Sequence, residues 1–179
     1  MPACRQAIRA SSSAIRSVHR LDDERAAAFV ADAQSHIRRA QEALAPFPAV
    51  AYAGFLHDAE KEFAEAVLTR ALVAGAHLPS AEELAVGVPA WLNGLAEAAS
   101  ELRRHLLDRL REDQTEDAER LVATMEDVYE VLVGVDFPDA LTGGLRRTAD
   151  ALRAVLERTR SDVTTTMMQL RLRRALEGH

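Results

Sequence analysis

Apolar residues in this chain recur every three to four positions over long stretches and nowhere alternate regularly with polar ones. That spacing lays a continuous apolar stripe along a helix but would scatter the same residues over both faces of a strand. Aromatics make up only 4% of the chain, and six prolines and eight glycines are too few turn residues for a sheet protein. Ala, Leu, Arg and Glu dominate instead, all of them good helix formers. The pattern predicts an all-α fold.

A first helix is expected from about Ala3 to His19, with Ile8, Ile15 and Val18 as its apolar positions. Asp22 and Asp23 begin a second, placing acid at the positive end of its dipole. It carries Phe29, Val30, Ile37 and Leu44 and stops at Pro46-Phe47-Pro48. A third runs from about Ala49 to Ala74 with Phe55, Leu56, Phe63, Val67 and Leu72 inward. Ser80-Ala81-Glu82-Glu83 is a capping box for a short helix that fails at Gly87. Pro89 is tolerated in the first turn of the next, which reaches about Arg111 and carries Trp91, Leu95, Leu102, Leu106 and Leu110. Thr115 is expected to cap a helix holding Leu121, Met125, Val128 and Leu132, which ends at Gly134.

After Asp136-Phe137-Pro138-Asp139 and Gly143-Gly144 comes a long last helix to about Leu176. At about 30 residues it spans about 45 Å, more than a globule of this size needs. Its apolar residues Leu152, Val155, Leu156 and Val163 are expected to bury partly against another subunit. No repeat or linker divides the chain. Residues 1–179 therefore read as a single-domain bundle of about seven helices with a long C-terminal helix.

Composition removes several classes of function. Apolar residues at 48% and charged residues at 28% describe a soluble globular chain rather than a disordered one. No apolar run approaches the ~18 residues of a membrane span, and Arg5, Arg9 and Arg16 interrupt any signal-peptide pattern. A cytoplasmic location is expected. Cys4 is the only cysteine, which excludes a disulfide scaffold and a thiolate metal site. There is no glycine-rich phosphate loop, no G-x-S-x-G elbow and no paired-histidine zinc spacing.

Two constellations carry chemistry. Glu62 and Glu65 are three apart and share a helix face beside the buried stripe of Phe63 and Val67. Glu97 and Glu101 are four apart, a like-charge spacing that costs a few tenths of a kcal/mol in an isolated helix. If their helices pack together, the two pairs can converge on Mg²⁺ or Mn²⁺, which favour carboxylate oxygens. Glutamates on solvated helix faces produce the same spacing. The second constellation is basic. Arg5, Arg9, Arg16 and Arg20 fall within a stripe about 60° wide, opposite Ile15 and Val18. The first twenty residues hold these four arginines and no acid, in a chain of net charge −6. Such a strip suits phosphates, since each guanidinium offers a planar fork. The alternative is a face bridged to Asp22, Asp23 or a neighbouring helix.

At these residues the chain resembles the translin superfamily, in the branch of translin-associated factor X (Trax) and its archaeal relatives. The stretches that carry the resemblance are Ala14 through Arg20, Glu62 through Ala66, Gly94 through Arg104, and Met125-Glu126-Asp127 with Asp136 through Leu141. Their order and spacing match over nearly the whole chain. The resemblance implies a bundle of about seven helices assembled into a hollow, mostly octameric homo-oligomer that binds RNA and single-stranded DNA. Members of the Trax type cut single-stranded RNA with a divalent metal, whereas translin binds without the carboxylate cluster. The E-x-x-E of that type falls on Glu62 and Glu65. The next acid, usually Asp, falls on Glu97, which is one methylene longer. The Glu and Arg of the G-E-L-x-R segment fall on Glu101 and Arg104, with Ser100 in place of its glycine.

By this resemblance Glu62, Glu65 and Glu97 are catalytic, and Glu101 joins them as a ligand of Mg²⁺ or Mn²⁺. Arg104, together with Arg5, Arg9, Arg16 and Arg20, is expected to contact RNA. The implied activity is a metal-dependent endoribonuclease acting on single-stranded RNA. The alternative is a non-catalytic shell of translin type that binds RNA or single-stranded DNA, in which these carboxylates are structural.

Overall fold

The computed structural model describes residues 2–51, 54–112 and 114–177. Its first reversal is made by two residues. Leu21 takes a left-handed φ of 59°, and the Asp22 carboxylate accepts a hydrogen bond from the Arg25 backbone N–H at 3.1 Å. α1 (Pro2–His19) thereby turns directly into α2 (Asp23–Leu44), and the two pack side by side. The capping box forms as expected: Ser80 Oγ accepts from the Glu83 N–H, and the Ser80 N–H donates to the Glu83 carboxylate.

The helix expected to run unbroken from Ala49 is instead two elements. α3 (Pro48–Ala51) is a single turn, and α4 (Phe55–Ala74) starts only after Gly54, whose φ of 94° no helix accommodates. Phe55, expected inward, is 57% exposed at the start of α4. The rest of the chain forms α5 (Ala81–Leu84), α6 (Val88–Arg111), α7 (Thr115–Val133), α8 (Asp139–Thr142) and α9 (Leu145–Glu177). Thr115 is the first residue of α7 rather than its cap, which is Gln114, whose side chain accepts from Arg109 at 3.0 Å and does not bond the helix end. The single turns α3 and α8 are the two additions to the seven expected helices.

α4 and α6 form the centre: α1 and α2 lie against α4, and α7 and α9 lie against α6. Phe63, Leu68, Leu102, Leu106, Leu121, Met125 and Leu152 are fully buried between these helices. Small residues line the α4–α6 seam, among them Ala64, Ala96 and Gly94. A Cβ at Gly94 would lie 2.8 Å from the Lys61 carbonyl oxygen and 2.9 Å from the Ala64 Cβ. The helices therefore touch almost backbone to backbone there, and this contact brings their carboxylates together.

Along α9 the structure corrects the expected division of surface. Leu152, Leu156 and Val163 are buried within the chain itself, and Val155 is half-buried. The unspent apolar residues lie further on, at Met168, Leu172 and Leu176. No helix among the described residues is long and apolar enough to cross a membrane.

Candidate metal centre

The close α4–α6 contact places Glu62 and Glu65 opposite Glu97, one turn beyond Gly94. One carboxylate oxygen from each of the three lies within 4.8 Å of the others. Oxygens around a single divalent ion, each about 2.0–2.6 Å from it, have spacings of this order. Glu65 is buried, while Glu62 and Glu97 are half-buried. Burial, and then the charges of Glu97, Glu62 and Glu101, push the Glu65 carboxyl up to about 8. A buried acid crowded by other acids is the arrangement that a bound cation relieves. The three carboxylates, Glu97 included despite its extra methylene, therefore form a donor set that could hold a metal ion.

Glu101 is not brought into this group. Its Oε2 lies 2.6 Å from Nε2 of His19, whose side chain is only 2% exposed at the end of α1. The other ring nitrogen of His19 is buried without a partner. No spacing rule connects residues 19 and 101, and the sequence gives no sign of the contact. Lys61 was equally hidden. Its ammonium donates to both carboxylate oxygens of Glu97, at 2.7 and 2.5 Å, and lies 3.5 Å from Glu62. Burial works against the Lys61 charge, but the hydrogen bond to Glu97 and the charges of Glu97, Glu62 and Glu65 hold it above the ordinary lysine value. Glu60, the remaining acid of this stretch, is structural: it is buried and accepts from the Gln41 amide at 2.8 Å and the Gly87 N–H at 3.0 Å.

A groove of about 480 Å³ runs beside Glu97, bordered by His57, Lys61, Asn93 and Arg147. Its far wall is fixed by hydrogen bonds. Asn93 donates to the Thr142 carbonyl at 2.8 Å, and Thr148 donates to the Asn93 side-chain oxygen at 2.6 Å.

Among the described residues the arginine strip makes no ion pair. Arg5, Arg9 and Arg16 on α1, and Arg20 just after its end, are all exposed. The acids that would have bridged them are occupied, Asp22 as the cap of α2 and Asp23 by Arg70 at 2.6 and 2.8 Å. Arg16 donates to Ser13 Oγ at 2.8 Å. Arg104 is exposed too, and it makes no ion pair with Glu101 among the described residues. Its neighbour Arg103 is the one that is tied down, by Asp162 and Thr159 of α9.

No family model matches the chain. An uncharacterised protein of Methanocaldococcus jannaschii is 31% identical over 174 residues, 97% of this chain and 77% of that protein. Among solved structures, the crystal structure of AfC3PO superposes with a TM-score of 0.85 at 30% identity, covering 94% of this chain and 87% of that one. A structure of AfC3PO in complex with duplex RNA gives 0.84 at the same identity and coverage. Apo-NeC3PO shares the fold, with a TM-score of 0.83 at 21% identity over 92% of this chain and 86% of that one. The C3PO proteins are built from the translin and Trax fold, and AfC3PO is archaeal. By identity and coverage as well as by fold, the chain belongs to the translin superfamily, as a C3PO-like member of archaeal type.

Proposed function

We propose that this chain is a divalent-metal-dependent endoribonuclease for single-stranded RNA that works in the cytoplasm as a hollow homo-oligomer, expected to be an octamer. The convergence of Glu62, Glu65 and Glu97 across the α4–α6 seam carries the reading. The AfC3PO relative, solved with duplex RNA, supports RNA as the class of ligand.

Glu62, Glu65 and Glu97 would hold the ion. Bound there, Mg²⁺ or Mn²⁺ supplies a Lewis acid for a phosphate oxygen and lowers the pKa of an attacking water. Glu101 stands at the edge of the trio, Oε2 hydrogen-bonded to His19, and its other oxygen is the proton acceptor in this reading. Arg104 pairs with phosphate on the outer side of α6. Arg5, Arg9, Arg16 and Arg20 bind the RNA backbone away from the reacting bond, and the same strip binds single-stranded DNA.

One observation favours the alternative, a non-catalytic RNA or single-stranded DNA binding shell. The Lys61–Glu97 contact partly neutralises the carboxylates without any metal. Labelled single-stranded RNA incubated with Mn²⁺, Mg²⁺ or EDTA separates the two. Cleavage is expected with either metal and not with EDTA. Glu62→Gln should abolish it while RNA binding persists or tightens, because a negative charge near phosphate is removed. Absence of cleavage with both metals would discard the enzyme, and cleavage that survives EDTA and Glu62→Gln would discard the metal-dependent site.

A further inference from the structure

We infer that the Lys61 ammonium is a tethered counter-ion of the carboxylate trio, which a divalent cation must displace in order to bind. The inference rests on the proposed metal-site reading.

Both oxygens of Glu97 are engaged by Nζ, and Glu62 lies 3.5 Å from it. Each Glu97 oxygen gives one lone pair to the ammonium while it stays, which weakens both oxygens as metal ligands. A cation arriving at the trio also meets a unit positive charge within contact distance of two of its three ligands. Binding and release of Lys61 are therefore coupled.

The residue type suits exchange. Lys61 is the only lysine in the chain, and every other Lys/Arg position is arginine. A guanidinium would lock onto Glu97 through a fixed two-pronged fork, whereas an ammonium is a compact charge on a flexible stem with rotatable donors. It also has a place to go. The groove bordered by His57, Asn93 and Arg147 opens beside Glu97 and includes Lys61 in its wall. The four-carbon stem can swing Nζ into this groove without unfolding any part of α4. In the metal-free chain Lys61 thus holds the trio together, and it sets a threshold that the cation must exceed. It is a positioning residue, acting on the substrate only through the ligands it releases.

The test is Mn²⁺ binding to the full chain without RNA, followed by the decrease of the free-ion paramagnetic resonance signal. Lys61→Met should bind Mn²⁺ at least about tenfold more tightly than the wild type, because a unit charge touching the ligands is removed. Lys61→Arg keeps the charge and strengthens the fork, so it should bind no more tightly than the wild type. If Glu62→Gln abolishes binding but Lys61→Met leaves it unchanged or weaker, the counter-ion role is overturned and the metal site stands. If neither wild type nor Lys61→Met binds Mn²⁺, both are overturned. A second measurement needs no variant. Acetylation of Lys61 by an amine-reactive reagent, followed by peptide mass spectrometry, should run several-fold faster in Mg²⁺ than in EDTA. Equal or slower labelling in Mg²⁺ overturns the displacement.

Discussion

Burial first, and then the neighbouring acids, make the charged form of Glu65 costly at the seam. Its carboxyl titrates near 8 in the folded chain against an ordinary value of 4.5. Between those values the native state holds a proton that the unfolded state has released. The contribution is fully present below about 4.5 and is lost as pH rises through 8, so stability falls with pH across the window. The slope from this one group is at most about 1.4 kcal/mol per pH unit. Urea unfolding of EDTA-treated protein at pH 5, 6, 7 and 8 should show the decline, and Glu65→Gln should flatten it. A variant profile as steep as the wild type would assign the decline to other groups. The same residue marks the boundary of what the sequence discloses. The three-residue spacing of Glu62 and Glu65 is legible because both lie on one helix. The contacts Lys61–Glu97 and His19–Glu101 are not, since they join residues 36 and 82 positions apart that only packing brings together.

At the scale of the element, the α4–α6 seam depends on one missing side chain. A methyl group at position 94 would meet backbone and Ala64 at under 3 Å, with no flexible side chain able to yield. Gly94→Ala should therefore destabilise the fold by about 1–3 kcal/mol, the usual range for overpacking. It should also weaken Mn²⁺ binding, because α4 and α6 carry different ligands. Gly134→Ala is the control: its nearest atoms lie at 3.4 and 3.6 Å at a helix end, and thermal melts should barely change. A Gly94→Ala protein as stable and metal-competent as the wild type would disprove the close-contact account. The long helices were legible because each repeats its apolar period several times. Single turns such as α3 and α8 repeat nothing, and a lone glycine such as Gly54 is tolerated inside a helical pattern, so the α3–α4 break was invisible. α1 carries its own prediction. Arg9→Ala with Arg16→Ala should weaken RNA binding and flatten its log–log salt dependence by about 1.4, or about 0.7 for each phosphate no longer neutralised. Unchanged affinity and slope would make the strip an ordinary solvated face.

Across the whole molecule, the four arginines of the first twenty residues stand apart, because the later helices mix acid and base and pair them with one another. A chain of net charge −6 repels phosphate at long range, so under the proposed function RNA would be met by local arginines and by metal at the glutamates. The proposed assembly would multiply such strips, and α9 is the element expected to drive it. Its 33 residues extend for about 50 Å, yet its last core residue is Val163. Beyond that point Met168, Leu172 and Leu176 follow at four-residue intervals and are 64%, 62% and 71% exposed. An apolar row at helical spacing in a charged segment calls for a covering surface, which in the proposed homo-oligomer a second copy of the chain would supply. Met168→Glu with Leu172→Glu should leave the melting temperature of the subunit core nearly unchanged while light scattering shows a smaller particle. Leu152→Glu should instead unfold the chain, because that residue is fully buried between helices of the same subunit. If the wild type is a stable monomer at micromolar concentration, or if the double variant keeps the wild-type mass, α9 does not hold subunits together. A smaller particle with an intact core would also bind RNA with a shallower salt dependence, since fewer arginine strips would face one strand.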